Sequence, residues 1–353
     1  MYVDKFHTSF SYGSITMKSM VIGPLISDCS YISIPFIIRV LNIGGIFEKM
    51  RKQSLIVIGA FLILLFLPFP NKIHAATQTP ISRIEAEKRA LDMINLKWTY
   101  YKSKNGIVPS AYAGSITQPS QLSGVETVVT TGIPYCWGGF DSFSSSSYNE
   151  PWTSFTDAVN KGAFIGNVKS SSYGHIPGTA GLDCSGFVQA AFNIKDYKLS
   201  TSTIFNQYFT KINLSDIKHM DILNAPGSHV VIFDKWGTRN GVSGAYTYEA
   251  TPDTTYGGTQ GTKQYFISMS TINAKYTAGR YINIRDNAYV KVINATSLNI
   301  RTGPSTAYPI VGSLAQNQVA TVVGYSSDNT WYKISVNGIT GYASATYLTY
   351  VNN

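Results

Sequence analysis

Charge is scarce in this chain: only 13% of its 353 residues are Asp, Glu, Lys or Arg. With 24 tyrosines and many Ser, Thr and Asn residues, such a composition suits a secreted protein working on polar polymer better than a cytosolic one. Cysteine is scarcer still, three in all, with Cys29 near the N-terminus and Cys136 and Cys184 in the body. The latter two could form one disulfide outside a cell, and that bond would silence Cys184 as a nucleophile. No His/Cys cluster stands at metal-ligand spacing, so neither a metal nor a cofactor is expected. No nucleic-acid-binding motif is present, which removes that class of partner. The apolar run from Leu55 to Phe69 is about fifteen residues, short of the ~20 of a spanning helix, so stable membrane insertion is not expected.

What is present begins with that run. Met50-Arg51-Lys52 ahead of it is a basic region, and Pro70 to Ala76 supplies small residues for cleavage. Residues 50–75 are therefore expected to be a signal peptide cut after Ala75. Residues 1–49 fit poorly in front of such a peptide. Either translation starts at Met50, or they form a genuine extension. The net charge is +9, and a mildly basic secreted body is attracted to an anionic cell wall.

The chain is organised around Gly181-Leu182-Asp183-Cys184-Ser185-Gly186-Phe187-Val188. Asp183 is a good N-cap, and Phe187, Val188, Ala191 and Phe192 recur at helical spacing. The spacing predicts a helix that opens at Cys184, in a small polar run unlike a core. Free N–H groups and the helix dipole in a first turn stabilise a thiolate, the nucleophile of acyl-transfer chemistry. Downstream, His229 to Phe233 reads as a strand and Tyr246 to Thr251 as its hairpin partner. A turn centred on Arg239 would place His229 opposite Glu249 on one face, where the carboxylate would orient the imidazole. His175 reads as a loop residue and a rival base, and His219 as surface-exposed. Upstream, Thr79-Pro80 predicts a helix running to about Tyr101. Between Gly139 and Asp183, about forty residues form a long internal loop, expected to be a cleft wall or lid.

Three motifs in order, Pro134-Tyr135-Cys136-Trp137-Gly138-Gly139, Asp183-Cys184-Ser185-Gly186-Phe187-Val188 and Gly227-Ser228-His229-Val230-Val231, resemble the NlpC/P60 cysteine peptidases over roughly residues 130–285. That resemblance implies a papain-like α+β fold, with a nucleophile helix packed on an antiparallel sheet. It implies cleavage of peptidoglycan stem peptides, with Cys184 as nucleophile and His229 as base. The third position, usually polar and often His in the family, is Glu249 here. By the same resemblance Tyr135 lies beside the nucleophile, and Tyr135, Asp183 and Ser185 hold the substrate's amino end. The bond cut would be γ-D-glutamyl to a diamino acid. Cys136 falls at a variable position and carries no role. Trp137 is read as core.

From Val290 the sequence changes to short alternating strands. Ser297 to Ser305, Trp331 to Ile334 and Gly341 to Ala343 resemble a bacterial SH3 domain, a small all-β barrel that in secreted proteins commonly binds cell wall. Asn337-Gly338 is a strong hairpin turn. The expected organisation is thus a leader at 1–49, a signal peptide at 50–75, a catalytic domain at 76–286 and an SH3-like domain at 287–353. The expected protein is a secreted, wall-associated thiol peptidase whose partner is peptidoglycan. A same-fold wall amidase or acyltransferase, or a non-catalytic wall-binding protein, are the alternatives.

Overall fold

The computed structural model describes residues 80–351. The expected leader, signal peptide and cleavage site, with Cys29 and Thr79, lie outside the described residues. Among those described, no helix is long and apolar enough to cross a membrane.

The first helix, α1, spans Arg83–Ile94 rather than 80–101. Its start is a capping box. The Ser82 hydroxyl accepts from the Glu85 amide (3.2 Å), and the Glu85 carboxylate accepts from the Ser82 amide (3.1 Å). The Ser-x-x-Glu signal outweighs Thr79-Pro80 because it satisfies free amides from both sides. Past Asn95 the chain turns into a strand, Lys97–Tyr101, antiparallel to Thr127–Thr131. β-Branched and aromatic residues alternate there, so Trp98 and Tyr100 face inward while Lys97 and Tyr101 face out. Trp98 meets Phe155 edge-on at 5.1 Å between ring centroids.

Helix α2 is Phe155–Lys161, and α3 is Cys184–Ala191 with Asp183 as its N-cap. Every residue of α3 is buried, including Ser185 and Gln189. The expected one-sided apolar stripe is thus a helix enclosed on all faces, and its polar start is interior too. This is affordable because each polar group has a partner: Gln189 accepts from the Leu199 amide and donates to the Asp196 and Tyr197 carbonyls.

The helix packs on a six-stranded sheet made of β1 (Phe209–Lys211), β2 (Ile222–Ala225), β3 (His229–Arg239), β4 (Val242–Thr251), β5 (Gly261–Ser268) and β6 (Thr277–Tyr281), in the order β5-β4-β3-β2-β6-β1. All its neighbours are antiparallel. The β3–β4 turn is Asn240-Gly241, both at positive φ (50° and 77°), with Arg239 paired to Val242. It lies further along than a turn centred on Arg239. A bulge between Phe233 and Lys235 then sets Ile232 opposite Tyr248. Continued, this register places His229 across from Thr251, with Glu249 on the diagonal. The two share a face because the bulge takes up one residue and side chains alternate with period two, and a diagonal pair remains within reach of long side chains.

A second sheet follows: β7 (Ala288–Val292), β8 (Ser297–Arg301), β9 (Ile310–Ala315), β10 (Val319–Tyr325), β11 (Trp331–Val336), β12 (Ile339–Ser344) and β13 (Leu348–Val351), ordered β9-β8-β12-β11-β10-β7-β13. Asn337-Gly338 forms its tight turn, both residues at positive φ, as the dipeptide predicts. Val290, Ile300, Leu314, Ile334 and Ala343 make a separate core. Helix α1 serves both bodies. Ala86, Ala90 and Met93 enter the larger core, Ile84 packs against the barrel core, and Asp92 accepts from Asn329 of the barrel.

Candidate active site

The start of α3 is fixed by Asp183, whose Oδ1 accepts from the Gly186 amide at 2.7 Å. Gly186 is required there, since a Cβ would lie 2.3 Å from the Gly139 carbonyl oxygen. This close approach clamps the Pro134–Gly139 segment across the helix start. Leu182 bridges Tyr135 on one side and Phe140 on the other. Tyr135 is 4% exposed and borders the same cleft as Cys184. Burial, followed by the nearby charges of Cys184 and Asp183, holds its phenol protonated well above the usual tyrosine range.

Cys184 is 6% exposed at the first position of α3. His229 opens β3, and Glu249, 2% exposed at its side chain, stands across the sheet. The imidazole Nε2 lies 3.3 Å from Glu249 Oε2. Burial opposes charge on His229, but the influence of Cys184 and Glu249 outweighs it, raising the imidazole to about 10. His229 and Glu249 are thus in contact, and Cys184 at the start of α3 lies within electrostatic reach of the imidazole.

Two hollows flank this trio. One, of about 400 Å³, is lined by Cys184, Asp183, Ser185, Tyr135, Trp137 and Lys198. The other, of about 480 Å³, is lined by His229 and Glu249, with Arg239, Tyr256, Tyr265 and Tyr276. Trp137 thus borders the cleft rather than serving only as core.

The long loop between Gly139 and Asp183 folds as a wall of the first hollow, to which it contributes Tyr148, Gly174 and His175. Its anchor is Asp141, fully buried, which accepts from the Ser147 amide and hydroxyl, the Trp152 indole and the Gly181 amide at 2.8–3.1 Å. His175 pairs with Glu150 (2.9 Å), so its loop placement is right, but it faces the cleft as well. Cys136 and Cys184 are both free thiols, so the disulfide does not form. Cys136 is fully buried against Thr179 (3.3 Å), and its thiol is pushed up by burial.

Sequence reasoning missed Lys198. Its ammonium contacts Asp183 at 2.7 Å and Ser185 Oγ at 2.7 Å. Nothing in the local Asp-Tyr-Lys-Leu-Ser run signals this, because the contact depends on how the chain folds back after α3. His219 is likewise half-buried rather than surface-exposed. It lies 3.3 Å from Glu87 and 3.2 Å from Asp234. Ligand atoms of these three residues lie within 4.8 Å of one another, a grouping that spacing in the sequence cannot show. The two ring nitrogens face different carboxylates, as in a charge network tying α1 to β3.

The barrel strands, the Asn337-Gly338 turn and the separate core are those of a small β-barrel at the C-terminal end. Residues 296–349 match the family of bacterial SH3 domains. No curated protein matches the chain. Among solved structures, NlpC2 from Trichomonas vaginalis is 16% identical, with a TM-score of 0.21, over 41% of this chain and 48% of that one. NlpC1 from the same organism is 18% identical, with a TM-score of 0.22, over 43% and 49%. This chain therefore spans about half the length of these two. Ly7917 is 18% identical, with a TM-score of 0.19, over 44% and 70%; a further structure shows it with the hydrolyzing product of MDP.

Proposed function

We propose that this protein is a secreted, wall-associated cysteine peptidase that hydrolyses peptidoglycan stem peptides, leaving the cell after cleavage of a signal peptide near Ala75. The observation that carries the reading is the convergence of Cys184, His229 and Glu249 at a buried helix start between two hollows. His229 takes the thiol proton, and Cys184 Sγ attacks the scissile carbonyl. The Cys184 backbone amide, free in the first turn, donates to the oxyanion. His229 then protonates the departing nitrogen as the C–N bond breaks, leaving a thioester. Water, deprotonated by His229, attacks the thioester, releases the acid and restores the thiol. Glu249 accepts from His229 Nε2 and stabilises its cationic form.

In this reading the acyl side of the substrate occupies the hollow of Tyr135, Asp183 and Ser185. The leaving amine departs through the hollow that His229 lines. The bond cut is the γ-D-glutamyl amide to a diamino acid, and the barrel holds the enzyme on the wall. Mass spectrometry of purified peptidoglycan after digestion tests this. New γ-D-glutamyl termini are expected with the wild type and none with Cys184→Ala. Release of a different fragment, such as a whole stem, would replace the reading with a same-fold amidase.

A further inference from the structure

The hollow beside Cys184 holds an ion pair that belongs to the chain itself. Asp183 Oδ1 accepts from the Gly186 amide (2.7 Å), the Ser185 hydroxyl (3.1 Å) and Lys198 (2.7 Å); Oδ2 also receives Lys198 (2.9 Å). Lys198 is saturated in turn. Its ammonium reaches Asp183, Ser185 Oγ (2.7 Å) and the Leu199 carbonyl (3.0 Å), one partner for each N–H. The two side chains are only 23% and 13% exposed. Among the described residues, Asp183 is the one carboxylate lining this hollow and Lys198 the one lysine or arginine. The acid's charge is therefore balanced within the chain, by Lys198.

A substrate ammonium arriving here would face Lys198 at close range and find Asp183 already paired. Displacing Lys198 would strand a half-buried cation. An amide-linked nitrogen carries no charge and meets neither obstacle. We infer that Lys198 is a specificity-determining residue: it fills the place of a substrate ammonium, so the acyl-side subsite accepts an amide-linked amino end and rejects a free one. In wall terms the substrate is a stem still joined to its glycan strand, not a released peptide. This inference rests on the peptidase reading above.

The test compares two probes on the full-length protein: L-Ala-γ-D-Glu-meso-diaminopimelate with a free α-amine, and the same tripeptide N-acetylated. The acetylated form should be favoured in kcat/KM by about tenfold or more. Lys198→Met should move the ratio toward the free amine by about tenfold, since it uncovers Asp183, while Lys198→Arg should keep the wild-type preference. The ratio, rather than the rate, is the readout, because partial unfolding lowers both rates alike. Wild-type preference for the free amine, or a ratio unmoved in Lys198→Met, overturns the inference and leaves the peptidase reading standing. If neither probe turns over, calorimetry on Cys184→Ala decides. Tighter binding of the acetylated probe supports Lys198 and sinks hydrolysis of this bond. Equal or absent binding overturns the role of Lys198.

Discussion

At the scale of single residues, the proposed chemistry stands on His229 paired with Glu249 and within electrostatic reach of Cys184. Cys184→Ala should lower kcat by roughly 10⁴-fold or more, and His229→Ala nearly as much, because the same imidazole serves as base and acid. Glu249→Gln keeps an oxygen that accepts from the ring but loses the charge. It should cost roughly 10- to 100-fold in kcat, and Glu249→Ala more, as read in steady-state kinetics. Cys136→Ser should leave kcat near wild type, since Cys136 lies buried against Thr179 and away from the cleft lining. The pH behaviour follows from His229, raised to about 10 by Cys184 and Glu249 against the cost of burial. A raised folded value means the stabilisation is full below the unfolded value of ~6.5 and is lost as pH climbs through about 10. NMR titration of the imidazole should give a lower value in Cys184→Ala, where one of its two acidic partners is gone.

At the scale of elements, the junction of α1 with the sheet is held by a buried carboxylate. Asp221, fully buried, takes Arg83 of α1 at 2.9 Å and Arg280 of β6 at 2.7 Å. Asp221→Ala would leave two guanidinium groups poorly paired and should lower unfolding stability by about 3–5 kcal/mol in denaturant titration. The Glu87–His219–Asp234 network nearby is pH-dependent. Burial opposes the charge on His219, but Glu87 and Asp234 raise its pKa; burial opposes the charge on Glu87, but His219 lowers it. The His219 contribution is complete below ~6.5 and fades as pH rises through its raised folded value. The Glu87 contribution is complete above ~4.5 and fades as pH falls through its lowered one. His219→Asn should therefore lower Tm most between these limits and little at high pH, measured by thermal melts across pH.

At the scale of the molecule, α1 couples the two bodies. Ile84 packs on the barrel core, Lys88 lies over the Tyr325 ring at 5.9 Å, and Asp92 bonds Asn329. Removing residues 287–353 should thus do more than weaken the proposed wall binding. It would expose Ile84 and strip partners from the helix that packs against α3. The truncated protein should melt at lower temperature than the full chain, besides sedimenting less with insoluble peptidoglycan. An unchanged Tm would mean the barrel is only a tether.

Much of the site was legible in the sequence because it is written in local geometry. A capped helix start, a period-two strand and a dipeptide turn each depend on neighbours a few residues away, so Cys184 in a first turn, His229 on a strand and the Asn337-Gly338 hairpin could be placed. The three-motif resemblance then joined pieces that local patterns leave apart. What the sequence could not decide was every contact made by chain segments that meet only after folding. The β3–β4 turn at Asn240-Gly241 carried Glu249 past the position opposite His229, and the bulge at Phe233–Lys235 took up one residue and returned the two to one face as a diagonal pair, an outcome only the sheet's pairing sets. The polar start of α3 looked accessible and is buried, since Pro134–Gly139 and the Lys198 segment close over it. Lys198, Asp141, Asp221 and the partners of His219 acquired their roles the same way. A charged side chain in a sequence has no partner until tertiary packing removes the water and supplies one.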